Sequence, residues 1–471
     1  MRRQPAARSI DPTTFSSPPI ARRSLKVACV FACLLAACAP LVQPPASTPR
    51  GAAVRVRGPW PEFQGPGRAA QVPQAPRLLD RWSADGPPEL WRRPLGAGFS
   101  QVATDGQRLY TLFADTATEF VVALDPADGG TLWRRALGPR YVDEWGDGPR
   151  ATPLLAGGSL WALGTDGVLV CFDPATGEPV WSLDFGERFG AAAAPTMGRG
   201  GLPAADETDR FGHTATPLWV DLPLGHPLGE ALLVAYTSSS LGPALVGLEP
   251  ATGRVLWTAL ETAGPAFSSP ALFAPTGDEE LQIVQIIAGR VVGLSLDGVE
   301  LWSLPWDWVT IAQPVALSDG ALFVSTVNDW GSALVRPHRD SDGWRVEELW
   351  RQRRLRTAWS TAVPIGELIC GFDNATFRCL GRADGALRWA QRGLGKGNFL
   401  RIGERRVLLL SDRGRLTLGH VDDAGLEERG SVEVFAGPSW TLPSFAEGRL
   451  YLRNHEELVA LDLRALPEDA S

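Results

Sequence analysis

Few residues of this chain are suited to reaction chemistry by type and spacing. Beyond Lys26 there is one more lysine, Lys396, set between Gly395 and Gly397 and followed by Asn398, while every other cationic side chain from there on is an arginine. Arg150 lies in the loop sequence Gly148-Pro-Arg-Ala-Thr-Pro153, and Trp308, Trp359 and Trp440 sit in comparable Gly/Ser/Thr-rich segments. If the fold brings them together, Arg150, Trp359, Lys396, Asn398 and Trp440 would form a cationic mouth with aromatic walls. Such a mouth suits an anionic planar ligand or an acidic peptide. The same side chains would serve equally to cap buried carbonyls and to fill a channel.

Catalytic and metal signatures are missing. The sequence has no Gly-x-x-x-x-Gly-Lys-Ser/Thr, no Gly-x-Ser-x-Gly and no His-Glu-x-x-His. Its five histidines (213, 226, 338, 420 and 455) are scattered without ligand spacing. Asp340-Ser-Asp342-Gly343 is too short for a calcium loop and reads as a hairpin tip, and Asp143-Glu-Trp-Gly-Asp147 reads as a solvated loop. No catalytic residue and no metal site is therefore assigned.

The elements that would have to position these groups follow from composition and repetition. In 471 residues, 44% are apolar and 21% charged, with 51 Gly, 39 Pro and 18 Trp. That apolar fraction excludes a mainly disordered chain, and the density of Gly and Pro argues against helical bundles. Asp-Pro-Ala-Asp-Gly129-Gly-Thr-Leu-Trp133, Asp-Pro-Ala-Thr-Gly177-Glu-Pro-Val-Trp181 and Glu-Pro-Ala-Thr-Gly253-Arg-Val-Leu-Trp257 are copies of one unit, with degraded copies at Gly298…Trp302 and Gly385…Trp389. In all five, Gly precedes Trp by four residues. The acidic residue and Gly make a tight turn, and the following strand carries a Trp able to cover a neighbouring unit. Trp133, Trp181, Trp257, Trp302 and Trp389 are thus expected to pack between units.

With Trp91, Trp350 and Phe435 added, the anchors are separated by 42, 48, 76, 45, 48, 39 and 46 residues. Six of these gaps match one four-stranded propeller blade, and the 76-residue gap is a blade plus an insertion placed at 198–229. After Phe435 the chain supplies three strands, and the orphan Pro88-Glu-Leu-Trp91-Arg-Arg-Pro-Leu95 supplies the fourth. The expectation is an all-β, eight-bladed β-propeller of four-stranded antiparallel blades, closed by an N-terminal strand that completes the last blade. Ligands of such rings sit where loops enter the innermost strands; those loops include 96–100, 148–153, 190–195, 264–270, 306–308, 356–361, 395–399 and 437–441.

The N-terminus carries its own signal. Basic residues through Lys26 precede an apolar run, 27–37, of secretory length, ending Leu35-Ala-Ala-Cys38. This resembles the bacterial lipoprotein signal, which implies cleavage before Cys38, acylation of its thiol and amine, and anchoring in the outer membrane, since Ala39 follows. An ordinary signal peptide with an incidental cysteine is the alternative. The domain boundaries read 1–37 signal peptide, 38–57 Pro-rich tether, 58–88 extension, 89–464 propeller and 465–471 tail. The formal charge of −8 includes +5 from residues 1–37, so the remainder carries −13, which disfavours nucleic-acid partners. In the folded part, Cys370 and Cys379 flank a hairpin centred on Asn374-Ala375. They fall at a close non-hydrogen-bonded pair, so either a disulfide or two buried thiols is consistent.

The repeating Asp-x-x-Thr-Gly-x-x-x-Trp pattern resembles the PQQ-like repeat β-propeller family. Trp60-Pro-Glu-Phe-Gln-Gly-Pro66 is similar to the Trp-Pro-x-Phe-Arg-Gly-Pro opening of an exported bacterial subgroup of that family. The resemblance implies two kinds of activity. BamB-type lipoproteins are non-catalytic scaffolds in outer-membrane protein assembly, which implies envelope proteins as partners, the periplasmic face of the outer membrane as location and no cofactor. Quinoprotein dehydrogenases hold pyrroloquinoline quinone with Ca2+ in the propeller. Their adjacent cysteine pair is missing here, and no segment matches their calcium ligands. The scaffold reading is therefore expected, with a quinone-binding oxidoreductase as the alternative.

Overall fold

A computed structural model of the chain describes residues 58–143, 145–190, 212–237, 242–261, 267–275, 281–287, 289–307, 310–357 and 360–465. Cys38 and the leader, Trp308 and Trp359 lie outside the described residues. The strands form eight separate antiparallel sheets, the blades of one propeller. Blades 1 to 8 begin with Ala103–Thr104, Leu154–Ala156, Leu218–Asp221, Ala271–Phe273, Val315–Ala316, Val363–Ile365, Gly397–Ile402 and Ser444–Ala446. These first strands are innermost, and those of blades 1 and 2, 3 and 4, 4 and 5, and 6 and 7 pack on each other. Glu89–Pro94 pairs antiparallel with Glu457–Asp462 as the outermost strand of blade 8, so the two ends of the repeat array meet in one sheet.

The repeat motif is a joint between blades. The indole N–H of Trp133 donates to the Pro174 carbonyl in the turn of the next blade at 3.1 Å. Trp91 donates likewise to Pro126, Trp181 to Pro250, Trp257 to Leu296, Trp350 to Arg382 and Trp389 to Asp422. The glycine of that next turn lies under the indole: a Cβ on Gly177 would stand 2.5 Å from the Trp133 ring, and one on Gly129 2.8 Å from Trp91. Gly177 also has φ of +72°, where L side chains are strained. One conserved spacing thus meets two requirements, the turn of one blade and the seat of its neighbour's tryptophan.

Blade 5 departs from this pattern. Its last hairpin runs Ser332–Asp340 into Gly343–Gln352, with the turn at residues 341–342. No Asp-Pro turn is there to receive Trp302, whose N–H instead bonds Gln282 Oε1 of its own blade at 2.7 Å. The ring of Trp302 packs in a cluster with Trp344 and Val346.

The 198–229 placement of the insertion needs correction. Leu218–Asp221 is the first strand of blade 3, and it pairs with Ala231–Tyr236. The extra residues therefore precede residue 218, and the loop entering that strand is 212–217 rather than 190–195. Pro223–Gly229, whose Gly and Pro content reads as insertion, is the turn between the first two strands. Cys370 and Cys379 stand directly opposite each other with Cα atoms 4.1 Å apart and are joined as a disulfide inside blade 6.

Two glycine substitutions separate the roles of the turn. Gly403 has φ of +62° with open space around it, whereas Gly177 combines positive φ with the indole contact. Gly403→Ala is expected to cost about 1 kcal/mol from backbone strain alone, and Gly177→Ala about 3 kcal/mol. Urea denaturation of the two variants checks this, and equal losses would refute a seating role for Gly177.

Candidate functional site

The axis of the ring is occupied by the chain itself. Residues 58–79 form a strap that enters beside the first turn of blade 1, where Trp60 bridges Thr104, and leaves beside blade 8 at Leu78 and Leu79. Trp60 is fully buried, and the Pro61 carbonyl accepts from Leu155 N–H of blade 2. Gln71–Val72 adds a short parallel strand to the inner edge of blade 7. Between these contacts the backbone turns tightly: Gln64, Gly65, Gly67, Arg68 and Ala70 all have positive φ. A Cβ on Gly65 would stand 2.8 Å from the Trp60 ring, so Trp60 and Gly65 of the opening motif fit each other.

At the tip of the strap, Arg68 forms a buried ion pair with Glu62 at 2.9 Å. Its guanidinium also donates to the carbonyls of Thr216 and Pro217, which precede the first strand of blade 3, and of Pro270, which precedes that of blade 4. Burial pulls the Arg68 pKa down, and the Glu62 charge opposes that shift. Five donors on a planar fork let one side chain satisfy a carboxylate and three carbonyls at once.

A belt of hydrogen bonds runs through blades 1 to 6 and closes on the strap. Backbone N–H groups of one blade donate to a side-chain oxygen of the next: Gln101 to Thr152, Thr152 to Thr216, Thr216 to Ser269, Ser269 to Gln313, and Gln313 to Thr361, at 2.9–3.3 Å. Gln64 completes the circuit. Its side-chain amide donates to Thr361 Oγ1 at 2.6 Å, and its backbone N–H donates to Gln101 Oε1 at 2.7 Å. Sequence reasoning missed this belt, although a signal was present: Thr152-Pro, Thr216-Pro, Ser269-Pro and Gln313-Pro recur immediately before successive inner strands.

Of the five expected mouth residues four are described, and these divide into two groups. Lys396, Asn398 and Trp440 line one small hollow, with Ser360, Phe372, Asn374 and Gly397. Asn398 Nδ2 donates to the Trp440 carbonyl at 2.7 Å, which joins blades 7 and 8, and Thr441 Oγ1 donates to the Phe99 carbonyl to join blade 8 to blade 1. Arg150 is not part of this hollow. It pairs with Asp143 at 2.7 Å and lies over the rings of Phe99 and Tyr141. Trp359 lies outside the described residues. The hollow has about 10 Å³ of room, enough for about one water molecule. Among the described residues, no three His, Cys, Asp or Glu side chains gather as metal ligands. A hollow of this size has no room for a tricyclic quinone.

A second buried arginine was also missed. Arg453, at the end of the strand Arg449–Arg453, donates to the carbonyls of Gly96, Ser100 and Leu112 and to Thr111 Oγ1, which ties blade 8 to blade 1. Burial without a carboxylate lowers its pKa to about 9. The signal was an arginine closing an otherwise apolar run. Next to it, His455 sits edge-on to Phe99, and burial followed by the charges of Arg453 and Arg150 lowers its pKa to about 4. His213, packed on Phe185, is lowered to about 4 by burial.

Comparison with known proteins places this architecture. Residues 117–307 match the sequence profile of the family described as outer membrane protein assembly factor BamB. No curated protein matches the sequence. Among solved structures, quinohemoprotein alcohol dehydrogenase ADHIIG from Pseudomonas putida HK5 aligns with a TM-score of 0.55 at 12% identity, over 87% of this chain and 82% of that one. The quinohemoprotein alcohol dehydrogenase of Comamonas testosteroni aligns at 0.54 and 10% identity, over 86% and 81%. BamB from Moraxella catarrhalis aligns at 0.38 and 14% identity, over 84% and 96%. At these identities the dehydrogenases share the fold with this chain.

Two predictions follow from the strap and the buried histidines. Glu62→Gln leaves Arg68 buried without its counter-charge and is expected to lower stability by about 3 kcal/mol or more in urea denaturation. A loss below about 1 kcal/mol would mean the strap is not packed as described. His213 and His455 bind protons more readily unfolded than folded, so stability falls as pH drops from about 6.5 toward 4. The double variant His213→Gln/His455→Gln should flatten that slope in pH-dependent melting curves.

Proposed function

We propose that this BamB-like PQQ-repeat propeller is a lipid-anchored, non-catalytic scaffold that binds proteins in the bacterial cell envelope, on the periplasmic face of the outer membrane. The observation that carries the reading is the strap. Gln64 and Arg68 fill the axis where propellers usually receive small molecules, and each is committed to several blades. Asn398 and Arg150 are committed to joints in the same way. A ring so tied offers rigid outer and end faces, which suit protein docking better than turnover.

Anchoring through Cys38 and a role in barrel-protein assembly or a similar envelope complex follow the lipoprotein-like signal and the family described for residues 117–307. No helix among the described residues is long and apolar enough to cross a membrane. The alternative, a quinone-dependent oxidoreductase with Lys396, Asn398, Trp440, Arg150 and Trp359 around the ligand, shares its fold with the two dehydrogenases. It would require the mouth to open well beyond the room of about one water.

Three measurements test these readings. Chemical crosslinking in intact envelopes should recover a stable partner, and Cys38→Ser should move the protein from the membrane to the soluble fraction. Recovery of no partner with the fold intact would count against the scaffold. Titration with pyrroloquinoline quinone and Ca2+ should leave the visible spectrum of the mixture equal to the sum of its parts, and a saturable spectral change with alcohol oxidation would reverse the conclusion.

A further inference from the structure

Blade 5 leaves the ring through a run found nowhere else in the chain, Arg351-Gln-Arg353-Arg354-Leu355-Arg356. Leu355 is fully buried and pins the run to the core, while Arg353 and Arg354 are exposed. Neither makes an ion pair among the described residues, although the neighbouring arginines do: Arg351 with Glu348, and Arg356 and Arg378 with Asp373. Arg378 also donates to the Arg354 carbonyl, so blade 6 supports the run from its other side.

The loop at residues 326–331 packs against this run. A Cβ on Gly331 would collide with the Gln352 carbonyl and the Arg353 backbone. The loop presents Val327 and Trp330, which are 41% and 42% exposed. The Arg351 guanidinium lies 5.4 Å from the Trp330 ring centroid and 4.9 Å from that of buried Trp306, so the exposed indole is held in place. Five arginines (351, 353, 354, 356 and 378) share this region with four acidic residues (Asp307, Asp329, Glu348 and Asp373), a local surplus of one positive charge on a chain that carries −13 beyond residue 37.

We propose that Val327, Trp330, Arg353 and Arg354 form a docking site for an acidic segment of a partner protein that also carries an apolar side chain. Unpaired guanidiniums supply charge complementarity, and the fixed indole with Val327 supplies the desolvated anchor that interfaces concentrate on aromatic and arginine residues. A membrane surface is the weaker match. The site lies on the end of the ring reached by the loops that enter the first strands, as the Thr326–Asp307 hydrogen bond of 2.8 Å shows. The described residues begin at the opposite end, where Gly58 abuts Thr104 and Asp105. This inference rests on the scaffold reading and deepens it by naming a face and a partner chemistry.

The test uses the purified full chain and a fluorescent peptide of alternating glutamates and Phe-Leu pairs, read by anisotropy, with phosphatidylglycerol vesicles as a separate arm. Peptide binding is expected to weaken as salt rises. Arg353→Glu/Arg354→Glu and Trp330→Ala should each weaken it by roughly tenfold or more, whereas Arg254→Glu on blade 3 should leave it unchanged. The proposal is overturned if the peptide does not bind, if the patch variants bind as well as the parent, or if only the vesicles respond to the arginine change. Envelope crosslinking of the Arg353→Glu/Arg354→Glu variant separates this failure from that of the scaffold reading. A partner retained by the variant removes this site and leaves the scaffold standing, while no partner with either protein removes both.

Discussion

The tryptophan seat is the contact on which the ring depends. Each blade is a small sheet with too little apolar face to be stable alone, so stability must come from neighbours. The outer-strand indole supplies that contact in two ways at once: a broad apolar face over the next turn, and an N–H that keeps its hydrogen bond while buried. The receiving turn must be low, which excludes a side chain at the glycine, and it must expose a carbonyl, which the Asp-Pro turn does. Because the donor is on one blade and the receiver on the next, each joint orients the following blade.

Closure imposes the second constraint. An array of eight blades has two ends, and unpaired edges there would invite association with other chains. Glu89–Pro94 covers one edge by completing blade 8, and its Trp91 then reaches into the turn of blade 1 as Trp133, Trp181, Trp257, Trp350 and Trp389 reach into the turns that follow them. Arg453 adds donors across the same junction. The strap works on the inner side of the ring, where Gln64 bridges the belt between blades 6 and 1 and Arg68 gathers the carbonyls of blades 3 and 4. The first forty residues of the described structure therefore bind both rims of the ring.

Local rules made the blades readable and left the axis unread. Blade number and closure follow from a turn and a tryptophan at fixed spacing, because both act over a few residues and recur. The third blade's inner strand, Leu218–Asp221, was misplaced because the Gly and Pro around it look like insertion, while its apolar run is only four residues long. Lys396, Asn398 and Trp440 do come together, since each belongs to a loop entering an inner strand or its neighbour. Arg150 was not distinguishable from them by type, because its ion pair with Asp143 in the same loop and the Phe99 and Tyr141 rings it lies over are set by packing. Trp60-Pro-Glu-Phe-Gln-Gly-Pro66 was visible as a motif but not as a plug. Its partners lie on blades 37 to 297 residues away along the chain, and nothing local encodes that distance.

The same plug bears on how one fold serves different chemistry. A propeller axis is a convergence of loop ends with backbone polar groups that must be satisfied, and a ligand is one way to satisfy them. Here the chain provides its own satisfier: Arg68 meets three carbonyls, and Gln64 meets a hydroxyl and an amide oxygen. Once those groups are paired internally, a small molecule on the axis would have to displace a buried ion pair and several hydrogen bonds together. Selection for binding would then act on the outer surface, where side chains can change without disturbing the belt. The arginine run after Trp350 is such a surface, on the blade whose long hairpin already departs from the repeat.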